Sequence, residues 1–319
     1  MSHARLRKVR ATARKTTQAT VINKQFKTDM EPDRTLKTDN DANVCRAADN
    51  DNPTLPRYAR LPVNRCNLPP VILGSLTFQH HPAPIHLDGI AELHADLFRR
   101  LDAITHRTAR AEAFRDYLTV RFCLENLEEA GLSERSQRRA KANWMRVLRG
   151  WSFDADGREG AVLKGWVESR FGLLARFHGE PLRDFSGNAY LRYQEMRSAG
   201  LYGTNALESQ LDLLYAFSQY ELRRQGDTPQ SIELFRGINR INEHEVLSKS
   251  GQRQIVLFNN LVSFTASRER ASEFGDYILS TRVPCAKVFF SHELIPGILK
   301  GEEEYLIIGG VYDVTLGTL

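Results

Sequence analysis

Three short segments in the last third of the chain hold the side chains best suited to chemistry. Leu234-Phe235-Arg236-Gly237 is an apolar run closing on an arginine. A strand rarely buries Arg without an anionic partner, and the planar guanidinium fork suits phosphate oxygens. Gly237 would let a ligand approach the backbone. Ser263-Phe264-Thr265-Ala266-Ser267 reads as a strand end running into a short helix, with Ser263 and Thr265 on one face and Phe264 on the other. Glu302-Glu303-Glu304 opens directly into Tyr305-Leu306-Ile307-Ile308. If the strand begins that early, Glu302 and Glu304 share a face and Glu303 points away. Singly, each piece has a plain explanation. Arg236 can end in a salt bridge, Ser263 and Thr265 can be ordinary polar strand residues, and a glutamate run can blunt a sheet edge. Together they make a set able to hold phosphate and ribose.

The elements that must position this set divide the chain in three. Residues 1–58 read as a disordered tail: a basic, Thr-rich stretch followed by an Asp- and Asn-rich one, with few apolar residues to offset the entropy of ordering. Residues 59–228 read as a helical lobe. Ile90, Leu93, Leu97, Leu101 and Ile104 recur at helical spacing behind Asp88 as N-cap. Phe114, Tyr117, Leu118 and Phe122 form a second face, to be ended by Gly131. Trp144, Val147, Leu148 and Trp151 form a third. Leu207, Leu211, Leu214, Tyr215 and Leu222 form another, opened by Asn205 with Glu208 as a capping box. These aromatics read as core.

Residues 229–319 read as a β-rich lobe. Apolar runs at 232–236, 254–258, 277–281, 286–290, 305–308 and 311–315 are rich in Val, Ile, Phe and Tyr and are separated by Gly, Asn and Pro. One short helix interrupts them, capped by Ser267, with Ala271 and Phe274 facing inward and Gly275 stopping it. The fold class is therefore α+β.

Composition removes several alternatives. Eight of the 44 Lys and Arg lie within residues 1–28, which hold no acid, so the remainder carries 36 basic against 39 acidic residues. The basic balance belongs to the tail and is poor support for nucleic-acid binding by the folded body. No stretch approaches the roughly 18 apolar residues of a membrane span. The four cysteines lie far apart without zinc spacing, and no apolar leader precedes the tail, which reads as a cytoplasmic protein with reduced thiols. Asp154-x-Asp156-Gly157 lacks the later ligands of a calcium loop and reads as an acidic turn. His80, His81 and His86 have no partner at ligand spacing, and no metal is expected.

The order Arg, Ser-rich strand end, Glu-x-Glu resembles the Arg–Ser–Glu class of mono-ADP-ribosyltransferases. The chain is more closely similar to the dinitrogenase reductase ADP-ribosyltransferases of nitrogen-fixing bacteria, from about residue 58 to its C-terminus. The resemblance rests on long blocks: Leu61-Pro-Val-Asn-Arg-Cys-Asn-Leu-Pro, Val71-Ile-Leu-Gly-Ser-Leu-Thr-Phe, Glu159-Gly-Ala-Val-Leu-Lys-Gly-Trp-Val-Glu-Ser-Arg-Phe-Gly, Leu201-Tyr-Gly-Thr-Asn-Ala-Leu-Glu, Glu233-Leu-Phe-Arg-Gly, Phe258-Asn-Asn-Leu-Val-Ser-Phe-Thr-Ala-Ser and Leu299-Lys-Gly-Glu-Glu-Glu-Tyr-Leu. The tail before residue 58 belongs to none of them.

The resemblance implies NAD as co-substrate and an arginine of the nitrogenase iron protein as acceptor, reversibly switched off by the transfer. It implies that Arg236 pairs with NAD phosphates and that the Gly237 backbone bonds the nicotinamide amide. It further implies that Ser263 fixes Glu304, that Glu304 attends the nicotinamide ribose, and that Glu302 orients the arginine and takes its proton. Phe264 or Phe274 would stack on nicotinamide, with burial in the core as the alternative. Helix segment 164–170 is a candidate surface for the protein substrate, with a packed helix as its alternative. A PII signalling protein is the regulatory partner the family suggests. Two other readings are an arginine-specific transferase of effector type acting on another protein, and a silent module that binds NAD or a partner.

Overall fold

The computed structural model describes residues 53–124, 142–182, 184–204, 206–224, 230–240, 243–298 and 303–318. Gly131, Asn205 and Glu302 lie outside the described residues, as do residues 1–52. Leu55 is already buried, so packed sequence starts ahead of residue 59.

The architecture is α+β, with helices first and antiparallel strands after. Two short helices, α1 (Pro70–Leu73) and α2 (Leu76–His80), are followed by α3 (Ile90–Leu93) and α4 (Ala95–Asp102). The single helix expected behind Asp88 is broken in two. Gly89, at φ 77°, caps α3 without a side-chain bond, and His94 separates the pieces, which leaves Leu93 exposed. Helix α5 (Arg107–Phe122) ends where Cys123 turns left-handed.

Helix α6 (Trp144–Phe153) forms as its spacing predicts: Asn143 caps it by accepting from the Met145 N–H, and Trp144, Val147, Leu148 and Trp151 are all buried. Helix α7 (Arg158–Phe171) is buried almost throughout, and α8 (Asn188–Gly200) packs beside it. Helix α9 (Ala206–Arg224) completes the helical part. A two-stranded ribbon, β1 (Arg176–Phe177) and β2 (Glu180–Pro181), sits between α7 and α8 in sequence.

Segment 164–170 is not the surface patch its charged letters suggested. Lys164, Glu168 and Arg170 are all buried, because each finds a polar partner. Arg170 Nε and Nη2 donate to the two carboxylate oxygens of Asp212 at 2.7 and 2.8 Å, and Nη1 donates to Glu208 at 3.0 Å. Lys164 pairs with Asp156, and the Tyr193 hydroxyl donates to Glu168 at 3.0 Å. Arg110 grips Glu221 in the same two-pronged way at 2.6 and 2.7 Å. Charges survive burial here because they are matched and hydrogen-bonded.

The strands are β3 (Ser231–Ile238), β4 (Glu245–Ser250), β5 (Arg253–Thr265), β6 (Tyr277–Pro284), β7 (Val288–Ser291) and β8 (Glu304–Thr318), with the short α10 (Arg268–Ser272) between β5 and β6. One expected run lengthens and one pair fuses: 254–258 belongs to a strand reaching Thr265, and 305–308 joins 311–315. Ladder pairings run from β3 to β5, β5 to β8, β8 to β6 and β6 back to β3, so the sheet curls onto itself.

The bend that permits this closure is a bulge in β5 between Phe258 and Leu261. A Cβ on Gly309, in the facing strand, would lie 1.7 Å from the Asn259 carbonyl oxygen, so only glycine fits. The bulge also ties the sheet to the helices. Asn260 Nδ2 donates to the carbonyls of Lys164 and Leu173 at 2.8 and 3.0 Å, and Asn259 exchanges two hydrogen bonds with the Arg176 backbone. One apolar core runs continuously from the helices into the sheet, with Trp166 packed against Phe171, Tyr215 and Phe289.

Candidate active site

Strand register brings the three segments together. Thr265 faces Glu304 across the β5–β8 ladder, and Phe235 faces Thr265 across β3–β5. Arg236 therefore arrives beside the end of β5, where its Nη1 donates to the Ser263 carbonyl at 2.8 Å. The Ser263 hydroxyl donates to Glu304 Oε1 at 2.5 Å. Arg236, Ser263 and Glu304 thus line one cleft of about 300 Å³, together with Phe235, Gly237, Phe264, Thr265, Glu243, Ala271 and Phe274.

Two members of the site come from the helical part and were missed from sequence. The Trp151 indole N–H donates to Ser263 Oγ at 2.9 Å and to Glu304 Oε1 at 3.1 Å, while the Ser152 hydroxyl approaches Glu304 Oε2 at 3.2 Å. Helical periodicity marks Trp151 as buried, which it is, but cannot say what its polar edge meets. Both of its partners lie more than a hundred residues further along the chain.

Arg236 is part-buried, and its Nε is enclosed with no hydrogen-bond partner among the described residues. Burial lowers its pKa, opposed by the negative charges of Glu243 and Glu304. A guanidinium at a cleft wall suits an anionic oxygen from a ligand. Glu243 is held by the backbone N–H groups of Asn239 and Arg240 at 2.8 and 2.9 Å. His244, next in sequence, packs edge-on against Phe258. Burial first, then the charges of Arg236 and Arg176, push its pKa down to about 3, so it is neutral at physiological pH.

The remaining predicted residues take places of their own. Gly237 is required by packing: an added Cβ would lie 2.0 Å from the Ala271 carbonyl of α10, so the glycine admits a helix backbone. Thr265 is buried and its Oγ1 accepts from the Ser267 N–H at 3.2 Å, which helps turn β5 into α10. Phe264 also lines the cleft but is 3% exposed, its ring set edge-on to Phe258 at 5.4 Å. Phe274 was expected to face inward and is instead 55% exposed at the cleft wall, because α10 stops at Ser272. Glu303 has φ 44° and β8 begins at Glu304, so regular strand geometry does not include Glu303; the expected shared face with Glu302 lies outside the described residues.

Among the described residues no cluster of His, Cys, Asp and Glu is arranged to hold a metal, and no helix is long and apolar enough to cross a membrane. Chemically, the cleft offers a cationic fork for an anion and two carboxylates, Glu243 and Glu304, of which Glu304 is fixed by the side-chain donors of Trp151, Ser152 and Ser263 where positive charge can be stabilised.

Comparison with known proteins fits this arrangement. The sequence model of the dinitrogenase reductase ADP-ribosyltransferase family matches residues 63–316. The chain is 41% identical over 254 residues to the NAD(+)–dinitrogen-reductase ADP-D-ribosyltransferase of Rhodospirillum rubrum, an alignment covering 78% of this chain and 92% of that protein. No solved structure matches the chain. With its family model spanning residues 63–316 of the α+β body and the Arg236, Ser263 and Glu304 side chains gathered in one cleft, the chain belongs to the dinitrogenase reductase ADP-ribosyltransferase family.

Proposed function

We propose that this enzyme transfers ADP-ribose from NAD to an arginine of dinitrogenase reductase, reversibly inactivating it and so controlling nitrogen fixation after translation. Family membership supplies the reaction. The observation that carries the site assignment is the contact chain from the Arg236 guanidinium to the Ser263 backbone and from the Ser263 hydroxyl to Glu304, all at one cleft wall.

Arg236 holds phosphate oxygens of NAD through its planar guanidinium fork at the cleft wall. The Gly237 backbone and the ring of Phe274, with Phe264 in the same cleft lining, face the nicotinamide, and Thr265 shapes the same wall. Ser263 fixes the rotamer of Glu304. Glu304 hydrogen-bonds the nicotinamide ribose and stabilises positive charge as the glycosidic bond breaks, the role carboxylates play in glycoside hydrolysis. Glu302, outside the described residues, orients the incoming guanidinium and accepts its proton. The β-rich part, 229–319, binds NAD, and the helical part, 59–228, contributes recognition of the protein substrate. A cytoplasmic setting follows from that substrate, and a PII signalling protein as regulator rests on family resemblance.

Purified enzyme incubated with labelled NAD and dinitrogenase reductase tests the reading. Label should enter the reductase with the wild-type enzyme and not with Glu304→Gln. Transfer by the Glu304→Gln enzyme would overturn the assignment, and absence of transfer by the wild type would overturn the substrate.

A further inference from the structure

We infer that the last turn of α6 is the positioning device of the active site: Trp151 is a fixed clamp on one oxygen of Glu304, and Ser152 is a placeholder on the other. The inference rests on the reading of Glu304 as the ribose carboxylate.

The clamp follows from donor chemistry. An indole N–H can donate and cannot accept. Trp151 Nε1 reaches both Ser263 Oγ and Glu304 Oε1, at 2.9 and 3.1 Å. Because the indole donates to Ser263, the single hydroxyl proton of Ser263 is left to point at Glu304, 2.5 Å away. One ring therefore fixes the direction of the Ser263–Glu304 bond as well as the carboxylate itself. Trp151 is 4% exposed, its ring packed into the core while its N–H edge meets the cleft residues.

The placeholder follows from proton counting. Ser152 has one hydroxyl proton and two acceptors within reach: Glu304 Oε2 at 3.2 Å and the Leu148 carbonyl, one turn back, at 3.4 Å. A rotation about one bond moves the proton from the first to the second. A ribose hydroxyl arriving at Oε2 can then displace Ser152 without stranding its donor, since Leu148 takes it.

The helix end is itself anchored. Lys164 of α7 pairs with Asp156 in the turn that follows α6, and its ammonium lies 5.9 Å from the Trp151 ring. The Lys164 carbonyl in turn accepts from Asn260 in the bulge of β5, the strand that carries Ser263. The clamp and the serine it directs are thus tied through one lysine.

The test separates kcat from KM in NAD hydrolysis and in transfer to dinitrogenase reductase. Trp151→Phe keeps an aromatic side chain but loses the N–H with the pyrrole half of the indole; kcat should fall about 10- to 100-fold while KM for NAD moves less than about threefold. Ser152→Ala removes a donor that NAD must displace, so KM for NAD should fall about two- to fivefold. The benzothienyl analogue of tryptophan at position 151 removes the N–H at nearly constant shape, and a role confined to packing would leave both of its parameters near wild type. If Trp151→Phe does not fold, as judged by circular dichroism and thermal melting, the analogue alone makes the comparison. A kcat within twofold of wild type for the variant without the N–H overturns the clamp, and a raised KM for Ser152→Ala overturns the placeholder. Glu304→Gln in the same assay distinguishes the failures. If it remains active, the underlying reading falls and the clamp with it; if it is inactive while Trp151→Phe is not, the clamp alone falls.

Discussion

Trp151 and Glu304 stand 153 positions apart in the chain, yet the indole N–H of the first donates to the carboxylate of the second at 3.1 Å. The contact joins the last turn of α6 to the first residue of β8. It makes the helical part a constituent of the active site and gives the site a rigidity that can be tested residue by residue.

Ser263→Ala removes the 2.5 Å bond to Glu304 and leaves the carboxylate to Trp151 and Ser152. We expect kcat for transfer to drop about 10- to 100-fold, as loss of a hydrogen bond to a charged group implies, with the melting temperature nearly unchanged. Steady-state kinetics beside a thermal melt measures both.

Arg236→Lys keeps the charge and loses the planar fork. The 2.8 Å bond to the Ser263 carbonyl and the donors facing the cleft cannot both be served by one ammonium. Affinity for NAD, followed by calorimetry, should weaken about tenfold or more. Wild-type affinity in this variant would remove Arg236 from phosphate binding.

Gly237→Ala would press a methyl group to within 2.0 Å of the Ala271 carbonyl. The cost expected of such overpacking is about 1–3 kcal/mol, so denaturant unfolding should shift accordingly, and α10 with Phe274 should move off the cleft. Unchanged stability would show that α10 docks loosely.

Stability should rise with pH in two separate windows. His244 is held down to about 3 by burial, against 6.5 when unfolded. The unfolded chain thus binds the extra proton between those values, and stability is lost as pH falls from 6.5 toward 3. Lys287 is fully buried with its Nζ on the Gly309 carbonyl at 2.9 Å, and burial lowers its pKa to about 7 from 10.5. Between pH 7 and 10.5 the unfolded state again holds more protons, so this contribution grows as pH rises through that range. Lys287→Met should flatten the alkaline window in denaturant titrations and leave the acid one intact.

Local signals were readable and long-range partners were not. The Trp144, Val147, Leu148, Trp151 face and the Ser267 cap follow from spacing alone, and the structure places both as expected. The grouping of Arg236, Ser263 and Glu304 was legible as three suggestive segments, but their adjacency depends on ladder register set by a bulge at Asn259 and Asn260. Segment 164–170 shows the converse. Its charges look solvated until Asp156, Glu208 and Asp212 are seen to meet them, and Glu208 and Asp212 come from a helix about forty residues on. Gly237 reads in the sequence as a place for a ligand to approach the backbone, but the neighbour that fills the space is a helix carbonyl, which no local pattern reveals.

Strand β8 pairs with β5, β6 and β7 and begins with Glu304. Because a ribosome delivers residues in order, the acid that completes the site is made after every other described member of it. A nascent chain stopped short of β8 holds Arg236, Ser263 and Trp151 but neither the carboxylate nor the strand that knits the sheet together. Under the role proposed for Glu304, a copy that lacks β8 would neither consume NAD nor mark a target.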